Sequence, residues 1–182
     1  MTIQPFKNAI AQNVLLFVVF TVFLFSCKKE PEPLTLPPAT QTGENTFGCK
    51  VNGEVFVPNG NVYYKSFSEP VYLTEDSLFG FSCYNVRDFD CKTNIRVRLF
   101  EVFEQGLQSN FDNYQGYFSG CMGGLSGSFR INQEETNSVI ISRFDLDERI
   151  VSGTFEYNLI NDNEETLSIT EGRFDVGDVL VY

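Results

Sequence analysis

A succession of short apolar runs separated by turn residues most constrains what this chain can fold into. From Thr46 onwards, runs rich in Val, Ile, Phe and Tyr alternate with segments rich in Asn, Asp and Gly. In the run from 94 to 103, Ile95, Val97 and Leu99 share one face. Arg96 and Arg98 share the opposite face, which is the period-two pattern of a strand. No run shows a helical stripe. The pattern predicts an all-β domain, a single antiparallel β-sandwich or barrel-like fold.

The turn residues set the expected strand boundaries. Asn52-Gly53 between two apolar runs predicts a type I′ hairpin turn, because these residues tolerate positive φ. The stretch from Phe103 to Phe118 is the least regular and predicts an irregular loop or a short helical turn. Strands are expected at Phe47–Val51, Glu54–Pro58, Val62–Phe67, Val71–Thr74, Ser77–Tyr84, Asn94–Phe103, Ser126–Asn132, Ser138–Phe144, Ile150–Ile160, Thr166–Thr170, Arg173–Val176 and Val179–Tyr182.

Residues 1–26 have the features of a bacterial export signal. Lys7 precedes an apolar run from Val14 to Phe25, which is shorter than the roughly 20 residues that a membrane span needs. An uncleaved N-terminal anchor is the alternative. Leu24-Phe25-Ser26-Cys27 resembles the lipobox of bacterial lipoproteins, although Phe25 is bulkier than the usual residue there. The resemblance implies cleavage before Cys27 and attachment of lipid to its sulfur, and several acyl chains together form a stable membrane anchor.

The residues after Cys27 indicate where in the cell the protein is expected to be located. No acid follows Cys27 directly, and Lys28-Lys29-Glu30 resembles the surface-export signal of Bacteroidetes-type lipoproteins, with a second Lys in place of the first acid. The expectation is a cell-envelope protein held on the outer membrane, with the periplasmic and surface-exposed sides both open. Four prolines within residues 27–45 predict a flexible, extended tether, which in polyproline II form reaches on the order of 50 Å. Residues 46–182 then form one domain.

The charge of the mature chain limits its partners. Beyond residue 26 it carries 12 basic and 24 acidic side chains, and no basic stripe is present. An acidic protein repels phosphate backbones, so nucleic acid is excluded as a partner. The membrane is expected to be contacted through the lipid anchor instead.

Four further cysteines are candidates for disulfides, which an exported protein can form. They are Cys49, Cys83, Cys91 and Cys121, and they allow three connectivities. Cys83 and Cys91 flank the expected hairpin tip Tyr84–Asp90, which favours Cys83–Cys91 together with Cys49–Cys121. A zinc site is the alternative, but the chain has no C-x-x-C spacing and no histidine.

Two ends of the domain resemble an uncharacterised Bacteroidetes-type lipoprotein family, a domain of unknown function. The likeness rests on Thr46–Gly53 with Val57-Pro58, and on Ile150–Phe155 and Ile169–Asp175. It implies an all-β envelope domain and supplies no catalytic residue and no cofactor. Within these motifs, Gly153 and Gly172 predict bulges or close backbone approaches. Arg173 and Asp175 share a face and suggest a structural ion pair, either with each other or with neighbouring residues.

The absence of histidine excludes Ser-His-Asp and Cys-His catalysis. Gly124–Ser128 lacks the final glycine of a nucleophile elbow, and Gly120–Gly127 lacks the Lys-Ser/Thr of a phosphate loop. Metal binding is not expected. Calcium is weighed only at two acidic turns, where ordinary turn chemistry is the competing interpretation. The calcium candidates are Asp145, Asp147, Asp162 and Glu164.

These observations predict a non-catalytic β-domain that binds or scaffolds an envelope protein or glycan. The alternative is a β-domain that holds a small apolar or carbohydrate ligand with Tyr63, Tyr64, Phe79 or Tyr84. A hydrolase that works without histidine, through a pair of carboxylates, is the third hypothesis.

Overall fold

The computed structural model describes residues 33–59, 67–68, 70–88, 91–102, 104–108 and 116–182. The export signal, Cys27, Tyr63 and Tyr64 lie outside these residues, as does most of the strand expected at 62–67. No helix within the described ranges is long and apolar enough to cross a membrane. Twelve strands occur in the described chain: β1 Thr46–Val51, β2 Glu54–Phe56, β3 Val71–Leu73, β4 Leu78–Asp88, β5 Cys91–Leu99, β6 Gly106–Gln108, β7 Gly116–Met122, β8 Leu125–Ile131, β9 Ser138–Asp145, β10 Ile150–Ile160, β11 Thr166–Val176 and β12 Leu180–Val181.

The strands form one sheet that folds back on itself as a sandwich-like domain. Its order is β12-β3-β4-β5-β7-β8-β10-β11-β1-β2, with β9 added to β10 and β6 added to β9. Neighbours are antiparallel except β12 and β3, which are parallel, so the sheet is mixed. β1 and β4 lie far apart in this order, yet the rings of Phe47 and Phe81 are 5.9 Å apart. The all-β prediction is confirmed.

Aromatic side chains fill the interior between the two layers. The Phe47 ring stacks on Phe155 at 5.4 Å and meets the edge of Phe56 at 6.0 Å. Phe174 packs against Phe81 at 5.4 Å. All five rings are no more than 4% exposed. Each such ring buries a large apolar area, and edge-to-face and offset contacts add about 0.5–1.5 kcal/mol per pair.

Several strand boundaries differ from those expected. β6 and the first three residues of β7 lie in the stretch from 103 to 118, which the sequence predicts to be irregular. β4 continues to Asp88, so most of the expected hairpin tip belongs to a strand. β11 is one strand rather than two, although Glu171 has φ 51° in its middle. The Asn52-Gly53 turn is confirmed, with φ values of 47° and 86°.

The C-terminal half of the expected tether is packed on the domain. We call residues 34–45 the strap. A Cβ added to Gly48 of β1 would lie 2.5 Å from Pro37 Cδ, so the strap passes directly over that strand. Arg143 Nη1 donates a hydrogen bond to the Gln41 carbonyl at 2.7 Å, and Arg173 Nη1 donates to the Pro37 carbonyl at 3.3 Å. A freely extended tether is therefore wrong for this half.

Asp175 binds the strap through its carboxylate. It lies on the outer face of β11, opposite to the inward Phe174, yet it is only 1% exposed. Its carboxylate accepts hydrogen bonds from the backbone amides of Thr42, Gly43 and Glu44 at 2.9–3.2 Å, and from the Ser152 hydroxyl at 2.6 Å. Burial opposes its ionisation, but these bonds favour the charged form and hold its pKa below the ordinary value. Arg173 forms its ion pair with Glu171 rather than with Asp175, and its Nη2 lies 3.9 Å from Glu171 Oε2.

The expected disulfide pairing is wrong. Cys49 and Cys83 are free thiols with no exposed surface, and both point into the aromatic core. Cys121 is exposed on β7 and is not a free thiol. Because Cys49 is a free thiol, the two cannot be bonded to each other. The side chain of Cys91 lies outside the described part. The spacing of cysteines along the chain did not show which face of the sheet each would occupy.

Candidate functional site

The two outer faces of the sandwich differ, because the strap covers only one of them. The other is formed by β4, β5, β7 and β8, and we call it the open face. Strand alternation sends Phe81, Val97, Phe118 and Phe129 into the core and their neighbours outward. The register aligns Ser82, Arg96, Tyr117 and Arg130 as one row across the four strands.

A groove of about 240 Å³ lies on the open face beside the edge of β4. Ser68 forms its rim, because its amide donates to the Ser82 carbonyl at 2.8 Å and its hydroxyl accepts from the Ser82 amide at 2.7 Å. Gly80 provides no side chain, which leaves the groove open above β4. Arg96 and Arg98 of β5 line the opposite side.

Both arginines are braced by aromatic rings. The Arg96 guanidinium lies 5.4 Å from the centre of the Tyr117 ring, and that of Arg98 lies 5.0 Å from the Phe100 ring. Arg96 Nε also donates to the Ser82 hydroxyl at 3.4 Å. None of the described carboxylates forms an ion pair with either arginine. Within the described residues, the two positive charges are therefore not offset by an ion pair.

Hydroxyl groups continue the polar surface away from the groove. The Tyr117 hydroxyl donates to Ser128 Oγ at 3.0 Å, and Ser128 Oγ donates to Ser119 Oγ at 3.5 Å. The bond with Ser128 and the nearby charge of Arg96 lower the pKa of Tyr117. This arrangement can donate and accept hydrogen bonds at adjacent positions, which suits a polar ligand.

The expected ligand residues do not form this site. Phe79 is completely buried in the core. Tyr84 is half-buried and lies on the same outer side of β4 as Ser82. Tyr63 and Tyr64 fall outside the described residues. The sequence signal for the groove is the alternation of Arg96 and Arg98 with apolar residues, which by itself predicts only a strand.

The calcium candidates occupy two turns and are engaged there. Asp145 contacts Arg143 at 2.7 Å and accepts the Glu148 amide at 2.9 Å; the bond with Arg143 contributes most to lowering its pKa. On the other turn, Asp162 pairs with Arg130 at 2.5 Å. Asp147 and Glu164 are exposed on the same two turns. Within the described ranges, no three Cys, Asp or Glu side chains are grouped so as to hold a metal ion.

The glycine-rich segment near Gly124 forms the β7–β8 hairpin. Gly123 and Gly124 have φ values of 67° and 79°, and Asn52 Nδ2 donates to the Gly123 carbonyl at 2.9 Å. The segment therefore serves as a tight turn that contacts the β1–β2 turn. No family model, curated protein or solved structure matches this chain. The family resemblance of the two end motifs accordingly stays a prediction.

Proposed function

We propose that the chain is a lipid-anchored protein of the bacterial cell envelope whose β-domain binds a partner through its open face, without catalysis. The binding proposal rests on the difference between the two outer faces of the sandwich. The strap occupies one of them, whereas the other presents Arg96, Arg98 and a row of hydroxyl groups. A partner is expected to be recognised by charge and hydrogen bonding.

The anchor rests on Leu24–Cys27 and on the apolar run that precedes it. Lipid on Cys27 and the following Lys28-Lys29-Glu30 support a place on the outer membrane. Because the strap begins at Leu34, only seven chain steps separate Cys27 from the docked part of the domain. At about 3.3–3.6 Å per residue, they reach at most about 25 Å.

Binding is favoured over catalysis by the chemistry of the open face. Guanidinium and hydroxyl groups recognise anions and polar ligands well, but neither is a general base near neutral pH. The chain contains no histidine to fill that role. A small apolar ligand inside the sandwich is not favoured, since contacting aromatic rings occupy the core. A carbohydrate on the outer surface remains compatible with the groove.

The anchor is tested with Cys27→Ala in cells supplied with a labelled fatty acid. We expect the wild type to be labelled and to sediment with the outer membrane, and the variant to lose both properties. Ser26→Ala is the matched control, since alanine is also small and should leave processing intact. Continued labelling of Cys27→Ala would refute the anchor.

The binding face is tested by photo-crosslinking in intact cells. A photoreactive amino acid replaces Ser128 on the open face or, as a control, Glu134 in the exposed loop between β8 and β9. We expect an adduct from position 128 that position 134 does not give. Equal adducts from both sites, or none from position 128, would count against the open face as the binding surface.

A further inference from the structure

We propose that the groove beside β4 is a subsite for the carboxylate groups of an acidic polysaccharide, with Arg96 and Arg98 as its anion-binding residues. The inference rests on the proposed binding function and names the ligand class. It is drawn from the charge of these two arginines, from the aromatic rings on which they stack, and from the hydroxyl groups near them.

The first argument is the placement of positive charge in an acidic protein. The chain has a formal net charge of −11, and several of its described basic side chains pair with an acid. Lys50 pairs with Glu171, Arg130 with Asp162 and Arg143 with Asp145. Arg96 and Arg98, two residues apart on one strand face, lie about 7 Å apart along the strand and have no such partner among the described carboxylates. Two like charges held this close favour an external anion between or above them.

The second argument is the orientation of the guanidinium groups. Stacking on Tyr117 and Phe100 holds each planar group against a ring, and Ser82 occupies Nε of Arg96. Among the described residues, the Nη atoms of Arg96 have no hydrogen-bond partner. A guanidinium edge matches the two oxygens of a carboxylate, and a braced side chain loses less conformational entropy when it binds.

The third argument selects a glycan over a protein. A stable protein interface buries about 800 Å² per partner and has aromatic or apolar residues at its centre. None of the exposed large apolar side chains of the described domain belongs to β4, β5, β7 or β8; they are Leu34, Leu107, Ile140, Val181 and Tyr182. The groove is small and is lined in part by Ser68 and Ser82. The hydroxyl groups of Tyr117 and Ser128 continue the polar surface beyond it, and such groups match those of a sugar.

The test measures binding of oligogalacturonate to the full-length lipidated protein in detergent. The matched ligand is the same oligosaccharide with its carboxylates reduced to alcohols, which keeps the sugar hydroxyls and removes the charge. We expect at least a tenfold weaker affinity for the reduced ligand. We also expect the affinity for oligogalacturonate to fall as salt is raised, because salt screens the arginine charges.

Three variants examine the residues. Arg96→Gln and Arg98→Gln are each expected to weaken binding about tenfold, and Arg96→Lys to recover only part of the loss, since lysine keeps the charge but not the planar group. Arg130→Gln is the matched control, because it lies on the same face but is paired with Asp162. Unchanged thermal unfolding of each variant shows that its fold is intact.

Specific outcomes overturn the inference. They are no binding of oligogalacturonate at millimolar concentration, equal binding of the reduced ligand, or unchanged binding by the doubly substituted Arg96→Gln, Arg98→Gln protein. Tighter binding of polyglutamate than of oligogalacturonate would also overturn it, in favour of an acidic peptide. In each of these cases a crosslink from position 128 would still support the broader binding proposal, so the two failures are distinguishable.

Discussion

Asp175 is an outward-facing carboxylate that the chain itself has buried. Three backbone amides of the strap and the Ser152 hydroxyl surround it. Asp175→Asn removes the charge from these bonds and places an amide NH₂ against backbone donors. Because hydrogen bonds to charged groups contribute more than neutral ones, we expect the free energy of unfolding to fall by about 2 kcal/mol. Urea unfolding at pH 7 measures it, with Asp147→Asn on an exposed turn as the control.

The same residue predicts a dependence on pH. The pKa of Asp175 is lower in the folded protein than in the unfolded chain. Its contribution is therefore fully present above the unfolded value of about 3.9 and is lost as the pH falls through the folded pKa. The difference in stability between the wild type and Asp175→Asn should shrink in that acidic range. A difference that is constant from pH 7 down to pH 2 would contradict the assignment.

Cys49 and Cys83 should not react with thiol reagents in the folded protein. Burial raises the pKa of both thiols, and the nearby Cys49 adds to the effect at Cys83. Little reactive thiolate is therefore present, and the core excludes reagents. We expect neither residue to react with maleimide at pH 8 until urea unfolds the chain, as read by peptide mass mapping. Labelling of the native protein, or a disulfide joining the two, would contradict this prediction.

Some residue roles could be predicted from the sequence, and others could not. Gly153 and Gly172 were expected at close backbone approaches, and an added Cβ would lie 2.4 Å from the Ile140 carbonyl and 2.5 Å from the Phe155 carbonyl. Register shifts occur at both places. A glycine within an apolar run is a local signal, whereas the strap amides that bind Asp175 lie more than a hundred residues away along the chain.

At the scale of elements, the strap shows how a tether differs from a docked segment. Its prolines correctly excluded helix, but they carried no information about Gly48 or Arg173, on which the strap lies. The long strands were predictable because their apolar alternation is local. β7 was not, since its composition, GYFSGCM, is rich in small residues. The groove likewise needs the pairing of β4 with β5, which no single strand reveals.

The strap's contact with β1 gives a prediction at this scale. Gly48→Ala places a methyl group in the space that Pro37 occupies, so the strap must move. We expect a loss of about 1 kcal/mol in stability and faster hydrogen exchange at the amides of Thr42 to Glu44. Gly80→Ala is the control, because its added Cβ meets only ordinary contacts of 3.5 Å or more. Equal exchange in both variants would indicate that the strap does not depend on Gly48.

At the scale of the whole molecule, the strap sets how far the domain stands from the lipid that we propose on Cys27. With the strap docked, the connection to Leu34 spans at most about 25 Å; with it released, the connection extends to Asn45 and reaches on the order of 60 Å. Under the proposed anchor, the single carboxylate of Asp175 would link the stability of the strap to the greatest distance that the domain can reach from the lipid. Release would also uncover the outer face of β1 and β11, which the strap now occupies.

This link can be measured on vesicles that carry the lipidated protein. A donor dye is attached to Thr166→Cys, which lies at the exposed start of β11, and acceptor dyes are placed in the lipid headgroups. We expect energy transfer to decrease when Asp175→Asn is added, because the longer connection lets the domain move away from the surface. Asp147→Asn should leave the transfer unchanged. Hydrogen exchange at the strap amides shows whether the strap of Asp175→Asn is released. If these amides exchange rapidly and energy transfer still equals that of the wild type, strap release does not set the height of the domain.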